Sequence, residues 1–131
     1  MTNEKQLEVL RNNFRNAVGC YRRKLFEKKD YGICFTFNRL SMNKIGCIKS
    51  VIKSIQNGFT AEEHFEAAEN IKDFFERAEV IEQHYEKKKY RCERHNMCMC
   101  KTTENNKVYM DVVTWGQNEG YIDLYLKKGA E

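Results

Sequence analysis

Three thiols and one imidazole lie within the nine residues from Cys92 to Cys100. Together Cys92, His95, Cys98 and Cys100 offer the sulfur and nitrogen ligands of a tetrahedral Zn²⁺ site. Four protein ligands leave no open coordination position, so the predicted site is structural rather than catalytic. His84 is the alternative ligand if His95 points away from the metal. The other interpretation is that these cysteines are small apolar residues of a half-buried strand.

The use of cysteine indicates a reducing compartment. The chain has six cysteines, and its N-terminus lacks the apolar segment of a secretion signal, which favours free or metal-bound thiols over disulfides. Cys20, Cys34 and Cys47 fall on apolar positions of their segments and are predicted to lie in the core, the alternative being that one of them joins the metal. No apolar run approaches the roughly 20 residues that span a bilayer. The sequence therefore predicts a cytoplasmic protein.

Motifs for catalysis are absent. The chain contains no Gly-x-Gly-x-x-Gly, P-loop, His-Glu-x-x-His or Gly-x-Ser-x-Gly motif. The segment His64-Phe-Glu66 matches the first half of a zinc deaminase motif, but no Cys-x-x-Cys follows it. A non-enzymatic protein is predicted, and a small thiol or zinc-dependent enzyme using Cys98 or Cys100 beside His95 is one alternative.

Charge is segregated along the 131 residues. Residues 1–58 carry twelve basic and four acidic side chains, residues 59–86 carry two and nine, and residues 87–131 carry nine and six, for a net charge of +4. Such segments either neutralise one another across a packing face or form separate surfaces for charged partners.

Helical periodicity predicts three helices. Apolar residues at a spacing of three and four mark residues 3–25, capped by Asn3, and residues 60–85, which begin with a capping box at Thr60. A second helix over residues 38–58 opens at Asn38 or Ser41 and ends at Gly58. Its predicted buried stripe comprises Ile45, Ile48, Ile52 and Ile55.

Alternating patterns predict the strands. A short strand covers residues 33–37 with its odd positions in the core, and three antiparallel strands cover residues 90–101, 108–115 and 121–127. The predicted fold class is α+β. Three helices and the short strand pack with a C-terminal three-stranded meander, stapled by zinc, and residues 1–131 form one domain.

Three sets of side chains are predicted to contact a partner. A basic set suits phosphates or an acidic partner, an acidic set can imitate a nucleic-acid backbone, and aromatic residues can stack on bases or anchor a protein interface. The alternative without a partner is that the basic and acidic sets are solvated helix faces and that the aromatic residues pack against the first helix. The residues are Arg11, Arg15, Arg22 and Arg23 on the first helix, Glu62, Glu66, Glu69 and Asp73 on the third, and Tyr109 and Trp115 on the meander.

A small chain rich in Lys, Glu and Asn, with segregated charge and no catalytic motif, resembles phage and mobile-element proteins that block a host machine. The anti-CRISPR inhibitors, a few of which carry a metal, are among them. The resemblance lies in general character and carries over no residues. It implies a non-enzymatic inhibitor or adaptor that binds a host protein or nucleoprotein complex and obstructs nucleic-acid loading on a Cas effector.

The competing hypothesis is direct binding of nucleic acid. The basic residues of the first helix, together with the Lys87-Lys88-Lys89 run, would then contact phosphates. Affinity that falls steeply with salt would identify this mode, whereas an inhibitor that targets a protein should leave free DNA and RNA largely unshifted.

Overall fold

A computed structural model describes residues 4–90, 93–104, 107–115 and 118–128, of which residues 84–90 and 93–104 are described as backbone only. It confirms an α+β fold. The helices are α1 (Glu4–Val18), α2 (Arg39–Gly46), α3 (Ile48–Gln56), α4 (Ala61–Glu69) and α5 (Ile71–Arg77). The strands are β1 (Leu25–Lys28), β2 (Ile33–Thr36), β3 (Glu79–Tyr90), β4 (Glu93–Glu104), β5 (Val108–Trp115) and β6 (Glu119–Leu126).

The strands form two antiparallel sheets. β1 pairs with β2, and β3, β4, β5 and β6 form a meander in sequence order. The larger sheet therefore has four strands instead of the predicted three. The additional strand is β3, which takes the place of the last part of the predicted helix over residues 60–85.

The predicted third helix is interrupted at Asn70 and is wrong beyond residue 77. Asn70 adopts φ −102° and ψ 20° at the end of α4, α5 follows, and Ala78 is extended with ψ 146°. From Glu79 onward the chain pairs with β4, starting opposite Thr103. Strand pairing with a distant segment satisfies these backbone groups, and it overrides the local helical period.

The predicted first helix is too long. α1 ends at Val18, a 3-10 turn follows at Gly19–Tyr21, and Arg23 has a left-handed φ of 69°. β1 then pairs with β2 and buries Phe26 opposite Phe35. Glycine at the helix end and this long-range pairing explain why the helix stops early.

The predicted second helix is divided at Cys47, whose ψ of 157° separates α2 from α3. Of the predicted buried stripe, Ile45 is buried, but Ile48, Ile52 and Ile55 are exposed. The prediction failed because α3 turns Ser50 and Ser54 inward instead, toward β6. Gly58 has the expected positive φ, 95°, after the end of α3.

Helices α2 and α3 lie along the open edge of β6. Ser41 Oγ accepts a hydrogen bond from the backbone N–H of Ile122 at 3.1 Å, and Ser54 Oγ accepts one from Leu126 at 2.9 Å. Between them, the N–H of Leu124 donates to the side chain of Asp123 at 2.7 Å. These contacts occupy the donors of an edge strand that would otherwise be free to pair with another chain.

Aromatic and aliphatic side chains form the core. Phe26 lies 4.9 Å from Phe37, 5.4 Å from Phe35 and 5.5 Å from Phe75, measured between ring centroids. Buried odd positions of β2 confirm the predicted alternation. The apolar face of β5 and β6 is also buried, and none of the helices in the described ranges is long and apolar enough to cross a bilayer.

Candidate interaction surfaces

The predicted zinc stretch falls where side chains are not described. Cys92 lies outside the described residues. His95, Cys98 and Cys100 belong to β4, and the alternative ligand His84 belongs to β3, which pairs with it. Among the residues whose side chains are described, no group of three histidine, cysteine or acidic residues could hold a metal ion. The zinc site stays a prediction.

The other three cysteines are not core residues as predicted. Cys20 is exposed, because the helix whose spacing suggested burial has already ended, and Cys34 and Cys47 are half-buried. The Cys47 thiol donates to the Lys44 carbonyl at 3.0 Å. Burial, and next the charge of Glu27, raise the pKa of the Cys34 thiol, which disfavours the reactive thiolate form.

A serine and a histidine form a buried hydrogen-bonded pair. Ser54 Oγ lies 2.8 Å from His64 Nδ1, and Nε2 of the same ring lies 2.9 Å from the Ile45 carbonyl oxygen. Because a carbonyl only accepts, the ring carries its proton on Nε2 and accepts from Ser54. Burial lowers the pKa of His64 and keeps the ring neutral. Since both side chains are fully buried and Ser54 also accepts from Leu126, the pair joins α3, α4 and β6 and cannot reach a substrate.

Three isoleucines form an exposed apolar row on α3, here called the isoleucine ridge. Ile48, Ile52 and Ile55 are 52%, 41% and 44% exposed. Their spacing of four and three places them on one side of the helix. Lys49 and Lys53, which are also exposed, lie beside them on the same helix. Exposed aliphatic side chains that adjoin one another, bordered by charge, are typical of protein interaction sites.

The predicted acidic set is divided between two helices. Glu62 and Glu66 are exposed on α4, Glu69 is half-buried at its end, and Asp73 is exposed on α5. These residues were predicted to form one continuous helical stripe. The break at Asn70 shows that they do not.

The predicted aromatic residues lie on β5 and are half-buried. Tyr109 stacks on Tyr125 with ring centroids 5.7 Å apart, and Trp115 packs edge-on against Tyr121 at 6.2 Å. Lysines lie over the three tyrosine rings. The ammonium-to-centroid distances are 3.8 Å for Lys53 and Tyr125, 5.0 Å for Lys44 and Tyr121, and 5.9 Å for Lys127 and Tyr109.

Lysines from α2 and α3, rather than α1, therefore lie over this face, and α1 packs against α4 through Phe14 and Phe65 at 5.8 Å. Burial raises the pKa of Tyr125 to about 12. With cations over three of the tyrosine rings, this face is poorly suited to stacking on nucleobases.

The predicted arginines separate into two places. Arg11 and Arg15 lie on α1 and line a groove of about 290 Å³ beside α2 and the start of α3. Arg22 and Arg23 are exposed in the segment after the 3-10 turn and are not part of a helix, in contrast to the prediction.

Sequence reasoning missed the isoleucine ridge as a surface. The available signal was Ser50 and Ser54, four residues apart on α3, which mark a polar face able to bind backbone groups.

Comparison with protein-family models, curated proteins and solved structures found no match to this chain.

Proposed function

We propose that this chain is a non-enzymatic inhibitor or adaptor that binds and blocks a protein complex that handles nucleic acid. The isoleucine ridge is the observation that carries the proposal. Removing aliphatic surface from water on binding stabilises a complex by about 25 cal/mol for each Å² buried. Nucleic acids are bound mainly through cations on their phosphates, a contact that isoleucine does not make. The ridge therefore favours a protein as the direct partner.

The side chains around the ridge define the chemistry of that partner. Interfaces commonly have an apolar centre and a polar rim. With Lys49 and Lys53 beside the isoleucines, the complementary surface is an apolar groove or helix face bordered by Asp and Glu. Charge complementarity of this kind raises the rate of association and excludes basic partners.

In this proposal the acidic side chains obstruct the loading of nucleic acid. Glu62, Glu66 and Asp73 are exposed and carry the same sign of charge as phosphates. A basic nucleic-acid channel would attract these carboxylates once the ridge has docked nearby, and loading of the guide or target strand would be hindered. In this proposal the 92–100 stretch holds a structural Zn²⁺, and the protein acts in the host cytoplasm.

The test measures target-DNA binding by a panel of purified RNA-guided Cas effectors, with and without this chain. The parent chain should reduce DNA binding by at least one effector at stoichiometric amounts. The variant Ile48→Ser/Ile52→Ser/Ile55→Ser should lose that inhibition with an unchanged melting temperature. Val9→Ser, which alters another exposed aliphatic residue on α1, is the matched control and should retain it.

Two results would contradict the proposal. Inhibition by the ridge variant equal to that of the parent would exclude the ridge as the contact. A parent chain that inhibits no effector, but shifts labelled DNA or RNA with an affinity that falls steeply with salt, would favour direct nucleic-acid binding.

A further inference from the structure

A concave groove lies between α1 and the junction of α2 and α3. Its volume is about 290 Å³. The residues that line it are Glu8, Arg11, Asn12, Arg15, Asn43, Gly46 and Cys47. Two cations and two amides thus converge on one concave surface, with Glu8 as the one acidic residue in this lining.

The guanidinium of Arg11 is held in place by the backbone. Its Nε donates to the Gly46 carbonyl at 2.7 Å, across 35 residues of sequence. A Cβ at Gly46 would lie 3.4 Å from Arg11 Cγ, so the arginine stem passes close over this glycine. One of the five guanidinium donors is used in this way, and four remain. A half-buried, positioned arginine loses little conformational entropy when it binds an anion.

Neither arginine of the groove is neutralised by an acid in the described parts of the chain. The guanidinium groups of Arg11 and Arg15 have no carboxylate oxygen within 4.0 Å there. The amides of Asn12 and Asn43 are exposed and make no hydrogen bond to a described residue. The groove therefore presents solvent-accessible donors and a net positive charge in the same place, since its lining has two arginines and one acid.

We infer that this groove binds a phosphoryl group, as a phosphate ester or as one phosphate of a nucleic-acid strand. A guanidinium matches two phosphate oxygens with parallel hydrogen bonds, and a second arginine one helical turn away reaches the same anion. The asparagine amides supply neutral donors for the remaining oxygens. This site is separate from the isoleucine ridge on α3 and does not depend on it.

The test follows the Arg11 Nε–H and backbone amide signals by NMR at constant ionic strength. The probes are inorganic phosphate, a nucleoside monophosphate and a short single-stranded oligonucleotide, with chloride as the reference. Saturable shifts confined to the groove are expected with phosphate and absent with chloride. Arg15→Gln should weaken binding about tenfold, as expected for loss of a charge-assisted hydrogen bond. Arg22→Gln removes an exposed charge outside the groove and should leave affinity unchanged.

Each outcome of the experiment decides one point. Tighter binding of the monophosphate than of the oligonucleotide would identify a small-molecule ligand, and the reverse order would identify a strand, with the groove upheld in both cases. Shifts that do not saturate, or equal losses in Arg15→Gln and Arg22→Gln, would reduce the effect to general charge attraction and overturn the inference.

Discussion

Replacing Asp123 by asparagine should stabilise the protein at neutral pH and change little in acid. Asp123 Oδ1 lies 2.7 Å from Ser50 Oγ and 2.7 Å from the backbone nitrogen of Leu124. Ser50 Oγ also lies 2.8 Å from the Lys44 carbonyl oxygen, but a hydroxyl has one proton to donate. That proton is donated to Asp123 Oδ1, which also accepts from the Leu124 N–H. When Asp123 is protonated on its other oxygen, Oδ1 still accepts both hydrogen bonds, and asparagine reproduces this arrangement through its amide oxygen without carrying a charge.

The pH dependence follows from the environment of Asp123. Burial raises the pKa of the Asp123 carboxyl, hydrogen bonds from Ser50 and Leu124 oppose that rise, and the charge of Asp111, directly opposite on β5, adds to it. Because the folded-state pKa is raised, the contribution to stability is present below the ordinary value and is lost as pH rises through the folded value. Facing like charges cost up to about 1 kcal/mol, and burial of the charge, partly offset by the two hydrogen bonds, adds about 1 kcal/mol. The expected gain for Asp123→Asn near neutral pH is therefore about 1–2 kcal/mol in the free energy of unfolding.

Urea denaturation at about pH 4, 6 and 8 measures this gain. The difference between Asp123→Asn and the parent should be close to zero at the lowest pH and should grow to its full value at the highest. Asp30→Asn makes the same chemical change at an exposed aspartate and is the control for the substitution itself. The reasoning is refuted if Asp123→Asn is no more stable than the parent at about pH 8, or if its gain is the same at all three pH values.

Three other predictions concern buried groups and the metal. His64→Ala should lower the free energy of unfolding by about 2–4 kcal/mol. Since burial lowers the pKa of His64, its contribution should be present above the ordinary value of 6.5 and lost as pH falls below it, as urea titrations of both proteins would show. Gly120→Ala should cost more than about 2 kcal/mol in denaturation experiments, because the new Cβ would lie 2.3 Å from the Val113 carbonyl oxygen, whereas Gly19→Ala, with no atom within 4 Å, should be tolerated. Elemental analysis should find about one zinc per chain for the 92–100 stretch, with a lower melting temperature in chelator, and an unchanged melt without bound zinc would exclude that site.

Local chemistry made several elements predictable from the sequence. The capping box at Thr60 is present, with Thr60 Oγ and the Glu63 side chain each bonded to the other residue's backbone N–H. Asn38 caps α2 by accepting from Leu40 at 3.0 Å. These capping signals depend on residues two or three positions apart, so all of the groups that interact lie within one helical turn.

Elements that depend on distant partners were not predictable in the same way. Residues 79–85 continue the apolar spacing of a helix, yet their backbone groups pair with β4 across the hairpin. The same holds for β1, whose pairing with β2 ended the predicted first helix early. An apolar spacing of three to four residues indicates only the local preference of a segment for helix. Here pairing with the other strands stabilises the extended conformation more than that preference favours a helix.

The exposed ridge is explained by the edge of β6. Ser54 accepts from Leu126, while Ser50 Oγ bonds with Asp123, so the polar side of α3 faces the sheet. The serines of α3 face the edge strand. Ile52 and the other residues of the ridge lie on a different side of the helix, so they cannot pack against the same strand. Protection of the edge from unspecific pairing thus leaves an aliphatic row in water. A partner that covers the isoleucine ridge would remove this surface from water, and the proposal that the partner is a protein, rather than nucleic acid alone, rests on the way this helix is turned.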